Sequence, residues 1–227
     1  MAQARFLSEP EHELVSGAVA AAEANSAGEI VTILAERSDD YADVALAWSI
    51  LVAFLALTLL ALASDFYLGL LDRVLGAWGM SWTPHAALAL AATVAMAKFA
   101  AMWLLQLWPR LRLLLVPGPL KEARVRARAI AAFRIGAERR THGRTGILIY
   151  LSMAEHRAEI VADEAITSKV SGEVWGEAMA AMIARLKQGQ TAEGLVAAVE
   201  RVGAVLAEHL PRTTTDLNEL PDKLIEV

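Results

Sequence analysis

The feature that most constrains this chain is a run of twenty residues, from Val44 to Ala63, without a charged side chain. At about 1.5 Å per residue, a helix of this length matches the roughly 30 Å hydrocarbon core of a bilayer. A core helix of a soluble protein has a polar face opposite its apolar stripe, and this run has no such face. The sequence therefore predicts a membrane-spanning helix.

A second apolar run, from Ala86 to Trp108, is interrupted only by Lys98. The loop between the two runs, residues 64–85, carries leucine and valine at helical spacing, which indicates a short helix on the membrane surface. Charged residues are scarce in this region. Between Leu46 and Trp108 they are only Asp65, Asp72, Arg73 and Lys98. We therefore predict a two-helix transmembrane hairpin, with spans at about 44–63 and 86–108.

Basic residues predict the orientation of the hairpin. The loop between the spans offers only Arg73, whereas six basic residues follow the second span: Arg110, Arg112, Lys121, Arg124, Arg126 and Arg128. Lysine and arginine are enriched on the cytoplasmic side of membrane helices. We expect a protein integral to the bacterial cytoplasmic membrane, with both termini and the soluble part in the cytoplasm. No cleavable signal peptide is expected, because Met1 to Ser16 contain no apolar segment.

Lys98 is the charged residue expected inside the membrane, and it has two interpretations. It could belong to a pore or proton relay, or its side chain could snorkel to the interface or meet a partner helix. We favour the second, because two helices enclose no pathway and no acidic residue lies at a matching depth.

Composition restricts the partners. The formal net charge of −5 argues against nucleic acid as a partner, since neutralising phosphates requires a basic surface. The absence of cysteine excludes disulfides and thiolate metal sites. The expected partners are the lipid bilayer and other membrane proteins, and the oligomeric state stays open.

The remaining segments predict an α/β fold, a small mixed sheet with helices on its faces. Ser8 and Glu11 form a capping-box pattern before the first helix. The helix that begins at Lys121 is predicted to have one apolar face, formed by Val125, Ala129, Phe133 and Gly136. The inward face of the helix near residue 180 is predicted as Trp175, Met179, Met182, Ile183 and Leu186. The further predicted elements are strands at Glu29–Ala35, Thr145–Leu151 and Arg157–Asp163, helices at Lys121–His142, Glu173–Lys187 and Thr191–Leu206, and a loosely packed tail.

The chain is expected to divide at the hairpin. Residues 1–45 hold one helix and one strand, which cannot fold alone, so they must join residues 111–211 in one domain on one side of the membrane. Residues 46–110 form the inserted hairpin, and residues 212–227 form the tail.

Several motifs resemble the TPM-domain family. They are the run AAEANSAGEIV at 21–31, RTGILIYLS at 144–152 followed by EHRAEIVAD at 155–163, Trp175, Gly194-Leu195, and NELPD at 218–222. The resemblance implies a compact α/β sandwich that is often anchored to a membrane. In that family, some plant thylakoid members are linked to photosystem II repair and weak acid phosphatase activity, and some homologues bind calcium. This chain departs from many members, whose signal peptide precedes the domain and whose membrane segment follows it.

Charged residues near the ends of the predicted strands form the candidate sites. If the strand pair turns near Met153, Thr145 lies opposite Asp163, which gathers Arg144, Asp163 and Glu164 as a candidate anion or ligand site. Depending on topology, Glu29 or the acidic residues near Asp39 and Asp40 could join them. Carboxylates at Glu29, Asp39, Asp40 and Asp163 would suit a hard cation, Ca²⁺ or Mg²⁺. The alternative, which we favour, is a set of surface ion pairs.

Enzyme signatures are otherwise lacking, with no glycine-rich phosphate loop and no histidine-rich metal pattern. We favour a non-catalytic accessory or interaction module at the cytoplasmic membrane face. The alternative is a metal-dependent, acid phosphatase-like hydrolase.

Overall fold

The computed structural model describes residues 6–75, 82–136, 145–212 and 223–227. The chain divides into two compact units. The sheet unit consists of Met1–Asp39 and Gly118–Val227, and the helical unit consists of Asp40–Pro117. In chain order the elements are α1 (Glu9–Glu23), β1 (Glu29–Ala35), α2 (Ala42–Leu62), α3 (Ser64–Leu75), α4 (Pro84–Leu105), α5 (Pro109–Leu115), α6 (Gly118–Gly136), β2 (Gly146–Ser152), β3 (Arg157–Ala162), α7 (Glu164–Thr167), α8 (Gly172–Leu186), α9 (Thr191–His209) and β4 (Ile225–Glu226).

The sheet unit is built on a four-stranded mixed sheet with the order β3-β2-β1-β4. Strand β1 runs parallel to β2 and β4, and β2 pairs antiparallel with β3. All residues of β1 and β2 are buried, which accounts for their continuous apolar sequences. The predicted mixed α/β fold is confirmed for this unit.

The two faces of the sheet pack against different helices. On one face, side chains such as Ile30 and Ile149 form a large core with α1, α8 and α9. On the other face, Leu148 and its neighbours meet α6, through the fully buried side chains of Val125 and Ala129 and through Phe133. The predicted apolar face of this helix is confirmed at these positions. Its predicted end, residues 137–142, lies outside the described residues.

The start of α1 has the predicted capping box. The amide and the hydroxyl of Ser8 both donate to one carboxylate oxygen of Glu11, at 2.7 and 2.6 Å. These hydrogen bonds favour the ionised carboxylate and lower the pKa of Glu11. The side chain therefore satisfies an amide that the helix itself leaves open.

Two expectations about packing in the sheet unit were wrong. Ile183 was expected to face inward, but it is 41% exposed. The last residues were expected to be loosely packed, but β4 pairs with β1, and Leu224 before it is buried. A two-residue strand is too short to give a periodic pattern, so only its pairing with Ile33 and Leu34 identifies it.

The helical unit presents its apolar side chains outward. Helices α2 and α4 pack together, yet the buried residues of α2 are only Ala45 and Ser49 among those described, and none is described as buried in α4. Both helices are long and apolar enough to cross a membrane, with mean hydropathies of 2.5 and 1.8. The loop between them contains α3, in agreement with the helical spacing noted there.

Side-chain hydrogen bonds join the ends of the helical unit. The buried Gln106 amide donates from Nε2 to the carbonyls of Ala45 and Met102, at 3.0 and 3.1 Å. The indole of Trp48 donates to the carbonyl of Leu115 at 3.0 Å. These bonds hold α4 and α5 against the first turns of α2.

Candidate functional site

The predicted site around Asp163 lies at one end of the sheet. Asp163 is opposite Gly146, rather than opposite Thr145 as expected, so the predicted register was wrong by one residue. Two hydrogen bonds define the pair: the Asp163 amide donates to the Gly146 carbonyl, and the Gly146 amide donates to Oδ2 of Asp163, both at 3.0 Å. The carboxylate thus replaces a missing backbone acceptor at the end of β2.

Asp163 also begins the short helix α7, where its carbonyl accepts the amides of Ile166 and Thr167 at 3.0 Å each. The neighbouring Glu164 is exposed in the first turn of that helix. Arg144, the expected basic member of the site, lies outside the described residues. Asp163 and Glu164 are therefore close in sequence, but only Asp163 is buried.

Parallel pairing decides which acidic group joins Asp163. Glu29 is the register partner of Gly146 on the side opposite Asp163, so both buried carboxyl groups flank the same glycine. Asp39 follows the other end of β1, and seven residues at about 3.3 Å each separate these two ends. Of the two predicted alternatives, the topology therefore brings Glu29, and not Asp39, to the Asp163 end of the sheet.

The remaining acidic candidates have other surroundings. Asp39 forms an ion pair with Arg124 at 3.1 Å, and Asp40 belongs to the helical unit, where its carbonyl accepts from Arg112 at 2.9 Å. Within the described ranges, no group of three or more histidine, cysteine, aspartate or glutamate side chains is placed to hold a metal ion.

A buried polar cluster that sequence reasoning missed lies at the opposite end, where β1 and β2 finish. The hydroxyl of Ser38 is 3.1 Å from the Tyr150 hydroxyl and 3.0 Å from Oγ of Ser152. The carboxylate of Glu155 accepts the Ser38 amide at 3.0 Å and the hydroxyl of Ser152. Tyr150, Ser152 and Glu155 are almost completely buried. We call these four residues the serine–tyrosine cluster.

The surroundings of Tyr150 favour the neutral form of its hydroxyl. Burial raises the pKa of Tyr150, and hydrogen bonding from Ser38 together with the nearby Arg128 opposes that rise only in part. The hydroxyl therefore stays protonated at neutral pH and can donate. The cluster ties the segment after β1 to the turn after β2, where the amides of Met153 and Ala154 donate to the carbonyls of Ala35 and Glu36 at 2.9 Å each.

One sequence signal could have revealed this cluster. Polar residues follow β1 and β2 directly, and the carboxyl ends of neighbouring parallel strands meet at one edge, the usual place for a site in α/β sheets. The antiparallel pair β2–β3 was predicted, but the parallel pairing of β1 with β2 was left open. Ser38 and Ser152 could not be placed together without it.

Comparison with known protein families finds a match in the second half of the chain. Residues 113–205 match the family model described as TPM domain. The chain contains a TPM domain. The resemblance drawn from the sequence motifs is thereby confirmed.

The TPM match begins after β1, yet the structure places α1 and β1 in the same sheet unit, with β1 as a central strand beside β2. The NMR structure of the BA42 protein from Bizionia argentinensis is similar in fold, with a TM-score of 0.57 and 19% identity over 99% of this chain and 98% of that chain. No curated protein matches this sequence.

Proposed function

We propose that this TPM-domain protein is anchored in the bacterial cytoplasmic membrane by its helical unit and that its sheet unit is a non-catalytic accessory or interaction module facing the cytoplasm. The observation that carries the proposal is the outward exposure of the apolar side chains of α2 and α4. Phe54 is 64% exposed, Leu62 is 81% exposed and Leu88 is 71% exposed.

Solvation energetics favour lipid around these helices. In a soluble protein, long apolar helices are buried, because exposing apolar surface to water costs about 25 cal/mol per Å². Here the most apolar stretches of α2 and α4 are only 11% and 0% buried. A bilayer removes this cost without any further protein packing.

The sidedness rests on chain connectivity and charge. The chain enters and leaves the helical unit from the same sheet unit, so both ends of a two-span hairpin must lie on one side of the membrane. The basic residues that follow α4 favour the cytoplasmic side. Residues such as Arg110 and Arg112 would also attract anionic headgroups, at about 1 kcal/mol per charge.

The non-catalytic interpretation is supported by the bonding of the polar groups. Asp163 accepts the Gly146 amide, and the serine–tyrosine cluster is internally hydrogen-bonded and buried. These side chains have structural roles that account for their presence. An accessory module needs no further chemistry from them.

The position of Lys98 on α4 favours a side chain that snorkels to the interface over a member of a proton relay. Its side chain is exposed on α4, seven residues before the end of that helix, which is about 10 Å along the axis. A lysine side chain is long enough to bring its ammonium group toward the interface from this depth. We expect Lys98→Met to insert normally and to leave proton permeability of the membrane unchanged.

Membrane insertion and topology can be tested together on the full chain. We expect the protein to resist carbonate extraction, a reporter at Gly79 to read external, and a reporter at the C-terminus to read cytoplasmic. Replacing Phe54 and Leu55 with arginine should impair insertion, since each arginine at a helix centre costs about 2.5–3.5 kcal/mol. Leu14→Arg, at an exposed position of α1, is the control and should insert normally. Extraction by carbonate, or the reverse reporter pattern, would refute this topology.

The alternative function, a metal-dependent phosphatase, is tested by an enzyme assay. Purified full-length protein would be tested on a generic phosphate ester with and without added Ca²⁺ or Mg²⁺, alongside Asp163→Asn. Activity that needs the metal and is lost in a folded Asp163→Asn protein would overturn the non-catalytic proposal. We expect no metal-dependent activity above that of a heat-inactivated sample.

A further inference from the structure

The sheet unit contains a cavity of about 590 Å³ beside the turn between β2 and β3. Its walls come from the adjoining ends of these strands, the second half of α8 and the turn that leads into α9. Its volume lies within the roughly 300–1,000 Å³ typical of small-molecule sites. The cavity is thus large enough for one elongated organic ligand.

Most of the cavity wall is aliphatic or thioether. Ile183, whose exposure contradicted the sequence prediction, lines this cavity, which explains why an apolar side chain on α8 is left 41% open. Methionine side chains adapt to irregular apolar ligands more readily than branched ones. The apolar lining residues are Leu151, Met153, Ala158, Met179, Ile183 and Leu186.

The titratable residues that line the cavity are His156, Arg157 and Lys187, and no acidic residue lines it. Arg157 borders the cavity, but its guanidinium lies 3.8 Å from Glu122 of α6, the helix on the other face of the sheet, and is therefore directed away from the cavity. Lys187 is exposed where α8 ends and lines the cavity there. The charged part of the wall therefore suits an anionic group.

Two residues with positive φ shape the turns on either side of the cavity. His156 has φ 51° in the turn after β2, and Gly189 has φ 77° after α8. Both line the cavity. These left-handed positions reverse the chain sharply, which holds the basic residues of the two turns around one apolar space.

We propose that this cavity binds a long-chain fatty acid, with its acyl chain along the aliphatic wall and its carboxylate at Lys187. One cavity of this volume suits a single acyl chain, and one ammonium group at its edge suits a single anion. The proposal goes beyond membrane anchoring and does not depend on which side of the bilayer the sheet unit occupies.

The test uses the full chain in phosphatidylcholine nanodiscs with a diazirine derivative of palmitic acid. After irradiation, adducts are mapped by mass spectrometry. We expect adducts within residues 151–158 and 179–191, and we expect palmitate, but not methyl palmitate, to compete for them. Labelling of α2 and α4 by probe dissolved in the bilayer reports separately on the membrane proposal.

Matched variants test the charge and the volume. Lys187→Ala should lower labelling of the cavity severalfold, whereas Lys169→Ala, an exposed lysine that does not line it, should leave labelling unchanged. Ala158→Phe should block the cavity from β3, and Met179→Trp should do so from α8 if the first variant fails to fold. Thermal unfolding of each variant verifies the fold.

Four results would overturn the proposal. The first is labelling confined to α2 and α4. The second is equal loss of labelling in Lys187→Ala and Lys169→Ala. The third is equal competition by palmitate and its methyl ester. The fourth is stronger labelling of the cavity by a two-chain phosphatidylglycerol probe, which would assign the cavity to a phospholipid.

Discussion

Asp163 and Gly146 exchange two hydrogen bonds at 3.0 Å, one through the backbone of Asp163 and one through its carboxylate. This pair closes the end of the β2–β3 ladder beside Glu29. A residue that the sequence nominated as a metal ligand or anion-site member thus has a defined structural partner.

Replacing Asp163 should therefore affect stability. Asp163→Ala leaves the buried Gly146 amide without its acceptor, and we expect a loss of about 1–3 kcal/mol in the free energy of unfolding. Asp163→Asn keeps an acceptor oxygen and should lose less. Denaturant unfolding measures both, with the exposed neighbour Glu164→Ala as a control that changes stability by less than about 0.5 kcal/mol. An Asp163→Ala protein as stable as wild type would contradict this role.

The serine–tyrosine cluster should be sensitive to removal of one hydroxyl. Ser152→Ala takes one hydrogen-bond partner from Ser38 and one from the buried carboxylate of Glu155, which keeps the Ser38 amide, so we expect a loss of about 1–3 kcal/mol. Ser168→Ala, at an exposed position, should change stability little. Thermal unfolding compares the two, and equal melting temperatures would show that the cluster does not contribute.

The C-terminus should stabilise the sheet unit through Glu226. Its carboxylate accepts the amides of Phe6 and Leu7 at 3.1 Å each and lies 2.9 Å from Nε2 of His12. We expect Glu226→Ala to lower the free energy of unfolding by about 1–3 kcal/mol. Proteolysis near residue 6 should also accelerate. Glu208→Ala, an exposed residue of α9, is the control, and similar proteolysis of the two variants would count against this contact.

Close packing between α1 and α9 depends on Gly203. A Cβ at this position would lie 2.6 Å from the Cβ of Ala22, so Gly203→Ala must push the helices apart, at a cost of about 1–3 kcal/mol. Gly176→Ala on α8 meets nothing within 4 Å and should instead stabilise that helix, by up to about 1 kcal/mol. Opposite shifts in melting temperature are expected, and shifts of the same sign would refute the packing argument.

Glu159 should make stability depend on pH. Burial raises its pKa in the folded state, with Arg126 and Arg157 opposing the rise, so the folded protein holds this proton more tightly than the unfolded chain. Stability should therefore fall as the pH rises from the unfolded pKa through the folded one. Glu159→Gln removes this loss, so we expect it to be more stable than wild type near pH 7, by less than about 1 kcal/mol because the residue is half-exposed.

The pH dependence of stability distinguishes titration of Glu159 from a stabilising effect of glutamine that does not depend on pH. The advantage of Glu159→Gln should disappear below about pH 4, where the carboxyl group is protonated in both states. A constant difference between variant and wild type across pH 4–8 would show that titration is not its cause.

Local sequence patterns predicted most elements of the sheet unit. Strand β1 was predicted at Glu29–Ala35 and matches the structure, because a run of β-branched residues bounded by polar segments favours a strand. The capping box at Ser8 and the apolar face of α6 at Val125 and Ala129 were also correct. Each of these features depends on residues within a few positions of one another.

Less of the candidate site could be predicted from the sequence. A one-residue change in register put Gly146 rather than Thr145 opposite Asp163, and the parallel pairing of β1 with β2 brought Glu29 rather than Asp39 to the same end of the sheet. Ser38 and Ser152 are 114 residues apart in the chain and meet only through that pairing. Register and pairing are set by packing over the whole sheet, which no local pattern contains.

The sequence by itself determined that two long apolar helices lie between the first and second strands of an α/β unit, since hydropathy and periodicity are properties of consecutive residues. Only the tertiary structure decided that Asp163 bonds to Gly146, that β4 joins the sheet and that Ile183 borders a cavity. These outcomes depend on residues distant in the chain, whose positions are fixed by strand pairing and core packing together.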